Sequence, residues 1–241
     1  LRTDMYHQYA PFFSEFRHKL LSGESLLYSW DVGMGVNFAA LYAYYLASPF
    51  NWLLLLCPSS LIIEFMTYMI VFKSGLAGLS MAWYLKKHTG SQKFGACYFG
   101  VFYALSGYMA AYSWNIMWLD CIVLLPLILH GLERLVREKK GLFYCLMLGL
   151  SILSNYYISI MICLFMVIYY VALLFLEKRP GWKDCLHSFF LFGVYSLLAG
   201  ALAAAVLLPE IAALQSTASG DFNFPTTLEI YFPIFDMIAR H

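Results

Sequence analysis

Nothing in this sequence constrains the fold more than its succession of apolar runs, each close to the length of a bilayer crossing and separated by short clusters of Lys and Arg. In hydrocarbon every backbone N–H and C=O must be paired within the chain, which leaves helices and closed barrels as the available structures. The runs are continuous rather than alternating at every second residue, so a barrel is disfavoured. The expected fold is all-α, a polytopic transmembrane helical bundle. Six stretches qualify, at 64–85, 94–113, 116–133, 141–155, 157–176 and 186–208, of which 141–155 is short for a span. Composition agrees: 12% of the 241 residues are charged and 62% hydrophobic, where an ordinary soluble domain has about 25% charged residues. A net charge of +1 supplies no basic field, so nucleic acid is not an expected partner.

Topology follows from the cations. Ten of the fifteen Lys and Arg residues lie in three connections, around Lys86, Lys87 and Lys93, around Arg134, Arg137, Lys139 and Lys140, and around Lys178, Arg179 and Lys183. These connections are therefore cytoplasmic. Residues 1–63 then form an outer loop, 64–208 the bundle, and 209–241 a second outer loop or the start of a further element, with tight outer turns at SWN and SNYY. Within the first outer loop, 5–21 has the spacing of an amphipathic interfacial helix, with Glu15, Arg17, His18 and Lys19 beside its apolar face. Gly33 and Gly35 predict a sharp turn, and the Tyr- and Trp-rich stretch interrupted by Pro49 suits a second interfacial helix or a re-entrant hairpin. The chain opens at Leu1 on none of the features of a signal peptide and reads as an internal piece, with an element expected beyond each end.

Ionisable groups in or beside an apolar bundle are costly and so informative. Asp4, Asp31, Lys73, Asp120 and the group Asn155, Tyr156 and Tyr157 stand out. Asp4 is either the N-cap of the helix that follows or a general base, and His7 lies one turn further along the same face. Lys73 falls deep in the first span, as the ion partner of Glu64 or Asp120 or as a cation for an anionic headgroup. Asp120 also reads as a satisfied polar residue of the bundle. Tyr156, Tyr157 and Trp114 fit either a sugar-stacking surface or interfacial anchors. The six cysteines are too dispersed for a C-x-x-C unit, and no H-E-x-x-H, G-x-S-x-G or Walker motif occurs.

Several stretches, DMYHQYAPFF from Asp4 to Phe13, WDVGMGVNF, YYLASPFNWL, YALSGYMAAYSWNIMWLDCIVLLPLILHGLERL and LSILSNYYISIMICLF, together resemble the bacterial YfhO family, which belongs with the GT-C class of polytopic glycosyltransferases. The resemblance implies a first transmembrane helix ahead of Leu1, interfacial helices in a large first outer loop, and an acidic residue near the start of that loop, matched here by Asp4. It implies transfer of a sugar from a polyprenyl-phosphate donor to an envelope glycopolymer of teichoic-acid type at the outer face of the bacterial cell membrane. On that reading Asp4 is the catalytic base, Lys73 and then Arg17 contact the donor phosphate, and Asp120, His7, Tyr156 and Tyr157 contact acceptor or sugar. A divalent cation at Asp120 is an option, since some enzymes of this class use one. A transporter or flippase for a lipid-linked saccharide and a non-catalytic envelope assembly protein are the alternatives.

Overall fold

The computed structural model describes residues 4–90, 94–176 and 181–215. Apart from a two-residue antiparallel ladder, β1 (Tyr28–Ser29) with β2 (Val36–Asn37), the regular structure is helical. Among the described residues, four helices are long and apolar enough to cross a bilayer: Ser59–Thr89, Ile116–Glu138, Tyr156–Leu176 and Trp182–Leu202. Their regular α-helical parts are α3 (Ile62–Thr89), α6 (Leu119–Glu138), α8 (Tyr156–Leu176) and α9 (Trp182–Leu202). Even the shortest spans about 30 Å at 1.5 Å per residue, which matches the hydrocarbon core.

The remaining apolar stretches depart from straight spans. The expected crossing at 94–113 is two helices, α4 (Gly95–Ala104) and α5 (Gly107–Tyr112), broken at Leu105 and Ser106. Ser106 takes an extended conformation, so the chain cannot continue the helix through it. The stretch at 141–155 is a 13-residue helix, α7 (Leu142–Ser154). Asn155 ends it in extended backbone and restarts the chain as α8, its side-chain oxygen accepting the Ile158 N–H at 3.0 Å. The last run stops at Ala203 and resumes as α10 (Ala204–Gln215).

The most enclosed helix is α6, which packs against α3, α7, α8 and α9. Its Leu124, Ile128, Leu132 and Leu135 recur at helical intervals and meet Tyr144 and Leu148 of α7 and Met166 and Tyr170 of α8. Lipid tails are as apolar as these side chains, so close packing rather than burial from water holds the helices together. Small residues allow it: a Cβ at Gly131 would lie 2.7 Å from the Tyr144 Cα, so α6 and α7 approach backbone to backbone.

A second core is built from residues 5–66 together with Ile116 and Met117. A π-helical turn (Met5–Tyr9) runs into α1 (Ala10–Ser22), and this rod buries Met5, Tyr9, Phe13 and Phe16 against Leu46, Leu54, Met66 and Ile116. Opposite it, Phe38–Leu46 and Pro49–Leu56 form a pair bent by 101°, so this stretch is a broken element rather than one straight helix. Its first arm comprises α2 (Phe38–Leu41) and a π-helical turn (Tyr42–Leu46). One expectation for the first helix changes: Glu15 and Lys19 are buried rather than facing headgroups. Their ion pair, at 3.5 Å, lies beneath the β-hairpin, where the Ser29 hydroxyl donates to Glu15 and Glu24 accepts from Lys19.

Candidate functional site

A buried ion pair lies beside this second core. Lys73 and Asp120 are each almost fully enclosed, and Lys73 Nζ stands 2.6 Å from Asp120 Oδ2. The ammonium also donates to the Ile116 carbonyl at 3.1 Å and to Ser48 Oγ at 3.3 Å, while Ser48 donates to Asp120 Oδ1 at 3.0 Å. Of the partners open to Lys73 in the sequence, the structure selects Asp120; Glu64 is on the exposed surface. With three acceptors, all three N–H donors are used. Ser48 begins the second arm of the bent pair, and Ile116 opens the turn before α6. One charge cluster thus locks the bent pair, α3 and α6 together, with three turns of α3 preceding it but only the first residue of α6.

Near this pair lies a continuous group of aromatic rings. Tyr9 stacks on Trp114 with centroids 6.2 Å apart and tilts against Tyr45 at 5.6 Å. Tyr44 meets Tyr45 at 4.6 Å, Tyr156 at 5.9 Å and Tyr157 at 6.1 Å, and Tyr157 stacks on Trp118 at 6.1 Å. Polar contacts fix the rings. The Tyr9 hydroxyl donates to Asn115 Oδ1 at 3.0 Å, Gln8 donates to the Tyr45 hydroxyl at 3.0 Å, and Asn155 donates to the Tyr44 carbonyl at 3.0 Å. Tyr156 donates to Glu210 Oε1 at 2.6 Å; the other Glu210 oxygen is buried without a partner among the described residues.

Asp4 lies at the edge of this group. It is exposed and makes no capping hydrogen bond, so the helix it precedes does not consume its carboxylate. Its charge reaches Tyr9: burial pushes that phenol above its ordinary pKa, and Tyr45, Asp4 and Tyr44 push it further. Asp4, Tyr156 and Tyr157 therefore belong to one region, which the Tyr9, Tyr44 and Tyr45 rings connect. Lys73 and Asp120 are buried, facing each other. Arg17 is thirteen residues beyond Asp4 on the same helical rod, about 20 Å away at 1.5 Å per residue, and its Nε donates to the Cys57 carbonyl at 2.6 Å. His7 is exposed, edge-on to Tyr6.

Two buried carboxylates with structural partners carry no distinguishing signal in the sequence. Glu210 is one of four acidic residues from Pro209 onward; Asp221, Glu229 and Asp236 lie outside the described residues. Glu133 is buried at the basic end of the bundle, where its Oε1 meets the hydroxyls of Tyr84 at 2.7 Å and Tyr169 at 2.6 Å and His88 Nδ1 at 2.8 Å. This contact brings together α3, α6 and α8 at the end of the bundle that carries Lys86, Lys87, Arg134 and Arg137. Among the described residues no group of three or more His, Cys, Asp and Glu is arranged to hold a metal ion.

The sequence family described as bacterial membrane protein YfhO matches residues 1–241. The uncharacterized protein YfhO of Bacillus subtilis (strain 168) is 24% identical over 199 residues, 76% of this chain and 23% of that protein. The chain thus spans about a quarter of that relative's length. No solved structure matches it.

Proposed function

We propose a function from one premise: the chain belongs to the YfhO family of bacterial membrane proteins, and is a multi-pass membrane protein. It is part of a glycosyltransferase that moves a sugar from a polyprenyl-phosphate donor to an envelope glycopolymer of teichoic-acid type at the outer face. The observation that carries this reading is Asp4, an exposed carboxylate free of capping duty at the rim of an aromatic floor on the outer side. A general base needs such an unengaged oxygen within reach of a hydroxyl. Aromatic faces in the group it borders, among them the partly exposed Tyr157 two rings away through Tyr45 and Tyr44, suit the apolar face of a sugar ring.

In the proposed reaction the acceptor oxygen attacks the anomeric carbon, forming the new glycosidic bond. Its proton passes to Asp4. The bond from the anomeric carbon to the phosphate oxygen breaks, and the electron pair leaves with the polyprenyl phosphate. Lys73 serves this site as a positioning residue, since it holds the Ile116 carbonyl and Asp120 under the floor. A direct contact from Lys73 to the leaving phosphate requires this pair to open. Arg17 contacts a donor phosphate only where that phosphate lies along the rod rather than beside Asp4. Glycosyl transfer therefore draws its charge stabilisation from groups additional to these two.

A second reading, transport of a lipid-linked saccharide, is favoured by the 101° bend and by the break between α4 and α5, since transporters build sites from broken helices. The full-length protein reconstituted in vesicles with a radiolabelled polyprenyl-phosphate hexose separates the two. Label in polymer supports transfer. Label moved between leaflets with none in polymer replaces transfer with transport.

A further inference from the structure

The Gly33-Met34-Gly35 turn has no role in the reaction above. Both glycines have positive φ, +61° and +106°, and a Cβ at Gly35 would lie 2.0 Å from the Tyr28 hydroxyl oxygen, so side chains are excluded there. The turn folds the β-hairpin back over α1. This return sets Asp31 opposite His7, Gln8, Ser14 and Glu15 around an open cavity of about 500 Å³, a volume within the range of small-molecule sites, about 300–1,000 Å³.

The charge of the lining is distinctive. Glu15 is already compensated by Lys19 and Ser29, whereas Asp31 is exposed. Neither Lys nor Arg is among the described residues that line the cavity. A phosphate entering it meets carboxylates and no cation. A hydroxyl-bearing neutral ligand meets acceptors at Asp31 and His7 and a donor at Ser14. Gln8 joins the cavity to the aromatic floor, since it lines the first and hydrogen-bonds the Tyr45 of the second. His7 is one turn from Asp4.

We infer that this cavity receives the neutral polyol part of the acceptor, with the phosphates of the polymer held outside. The inference rests on the transfer reading for the word acceptor, but the polyol site is testable without turnover. Saturation-transfer NMR on the full-length protein in nanodiscs, with triglycerol as probe, reads binding directly. Wild type gives a saturable signal that inorganic phosphate does not displace. Ser14→Leu, which fills the cavity from an exposed helix position, and Asp31→Leu each weaken binding at least tenfold, with the folded state checked by the unchanged thermal transition of Ser14→Leu. Absence of wild-type binding, unchanged affinity in both variants, or displacement by phosphate overturns the inference. A second arm measures acceptor KM in the transfer assay. Triglycerol binding in a protein that transfers no sugar refutes the transfer reading and keeps the polyol site; transfer with an unchanged acceptor KM in Ser14→Leu refutes the site alone.

Discussion

Replacing Lys73 with Met tests whether the deepest charge of the bundle is a structural tie. In the native arrangement Asp120 receives the ammonium at 2.6 Å and the Ser48 hydroxyl at 3.0 Å, and it is 3% exposed. Lys73→Met leaves that carboxylate in a low-dielectric interior with Ser48 as its remaining partner and leaves the Ile116 carbonyl without its donor. Removing one partner of a buried pair costs about 3–5 kcal/mol, a factor of roughly a hundred to several thousand in the unfolding equilibrium. The double variant Lys73→Met with Asp120→Leu removes both charges and loses mainly the hydrogen bonds to Ile116 and Ser48, each worth about 0.5–1.5 kcal/mol. The double variant is thus more stable than Lys73→Met alone, the signature of a coupled pair in a mutant cycle. Reversible unfolding in mixed micelles, followed by tryptophan fluorescence, measures wild type, Lys73→Met, Asp120→Leu and the double variant. A Lys73→Met protein within about 0.5 kcal/mol of wild type, the range of an inconsequential surface change, refutes the reasoning and returns Lys73 to the donor phosphate.

Other consequences are read in simpler measurements. Gly131→Ala drives a methyl group into the Tyr144 backbone and destabilises the α6–α7 contact by about 1–3 kcal/mol, seen as a lowered thermal midpoint. Tyr9 has a pKa raised on folding, so the unfolded chain loses this proton first and stability falls as pH rises above about 10, the unperturbed tyrosine value. Tyr9→Phe flattens that alkaline dependence, and an unaltered profile contradicts the burial argument. In intact cells, cysteine introduced at the 98% exposed Met34 reacts with an impermeant maleimide and cysteine introduced at Lys140 does not; the reverse pattern inverts the topology.

Much of the bundle was legible because continuous apolar runs leave a membrane chain few choices, and α3, α6, α8 and α9 follow from them. The break between α4 and α5 was hidden in an unbroken apolar run, where Ser106-Gly107 was its one local signal. Glu133 gives no local signal in the sequence because its partners Tyr84 and Tyr169 come from 49 and 36 residues away. Long-range pairing of this kind leaves no mark in local spacing. The same holds for Ser48, whose contact with Asp120 spans 72 residues, and for Glu210, which meets Tyr156 across 54. Asp4 stood out as an isolated carboxylate in an aromatic segment, but whether it was a cap depended on a hydrogen bond that only the folded backbone could give or withhold.

The central claim concerns that carboxylate. Sugar transfer from a polyprenyl-phosphate donor by the full-length protein, compared between wild type and an equally abundant, equally stable Asp4→Asn variant, tests it most directly. Asn keeps the shape and cannot take the proton, so the account predicts a fall in kcat of about 10²–10⁴-fold, the usual contribution of a general base. Transfer at the wild-type rate by Asp4→Asn would contradict it.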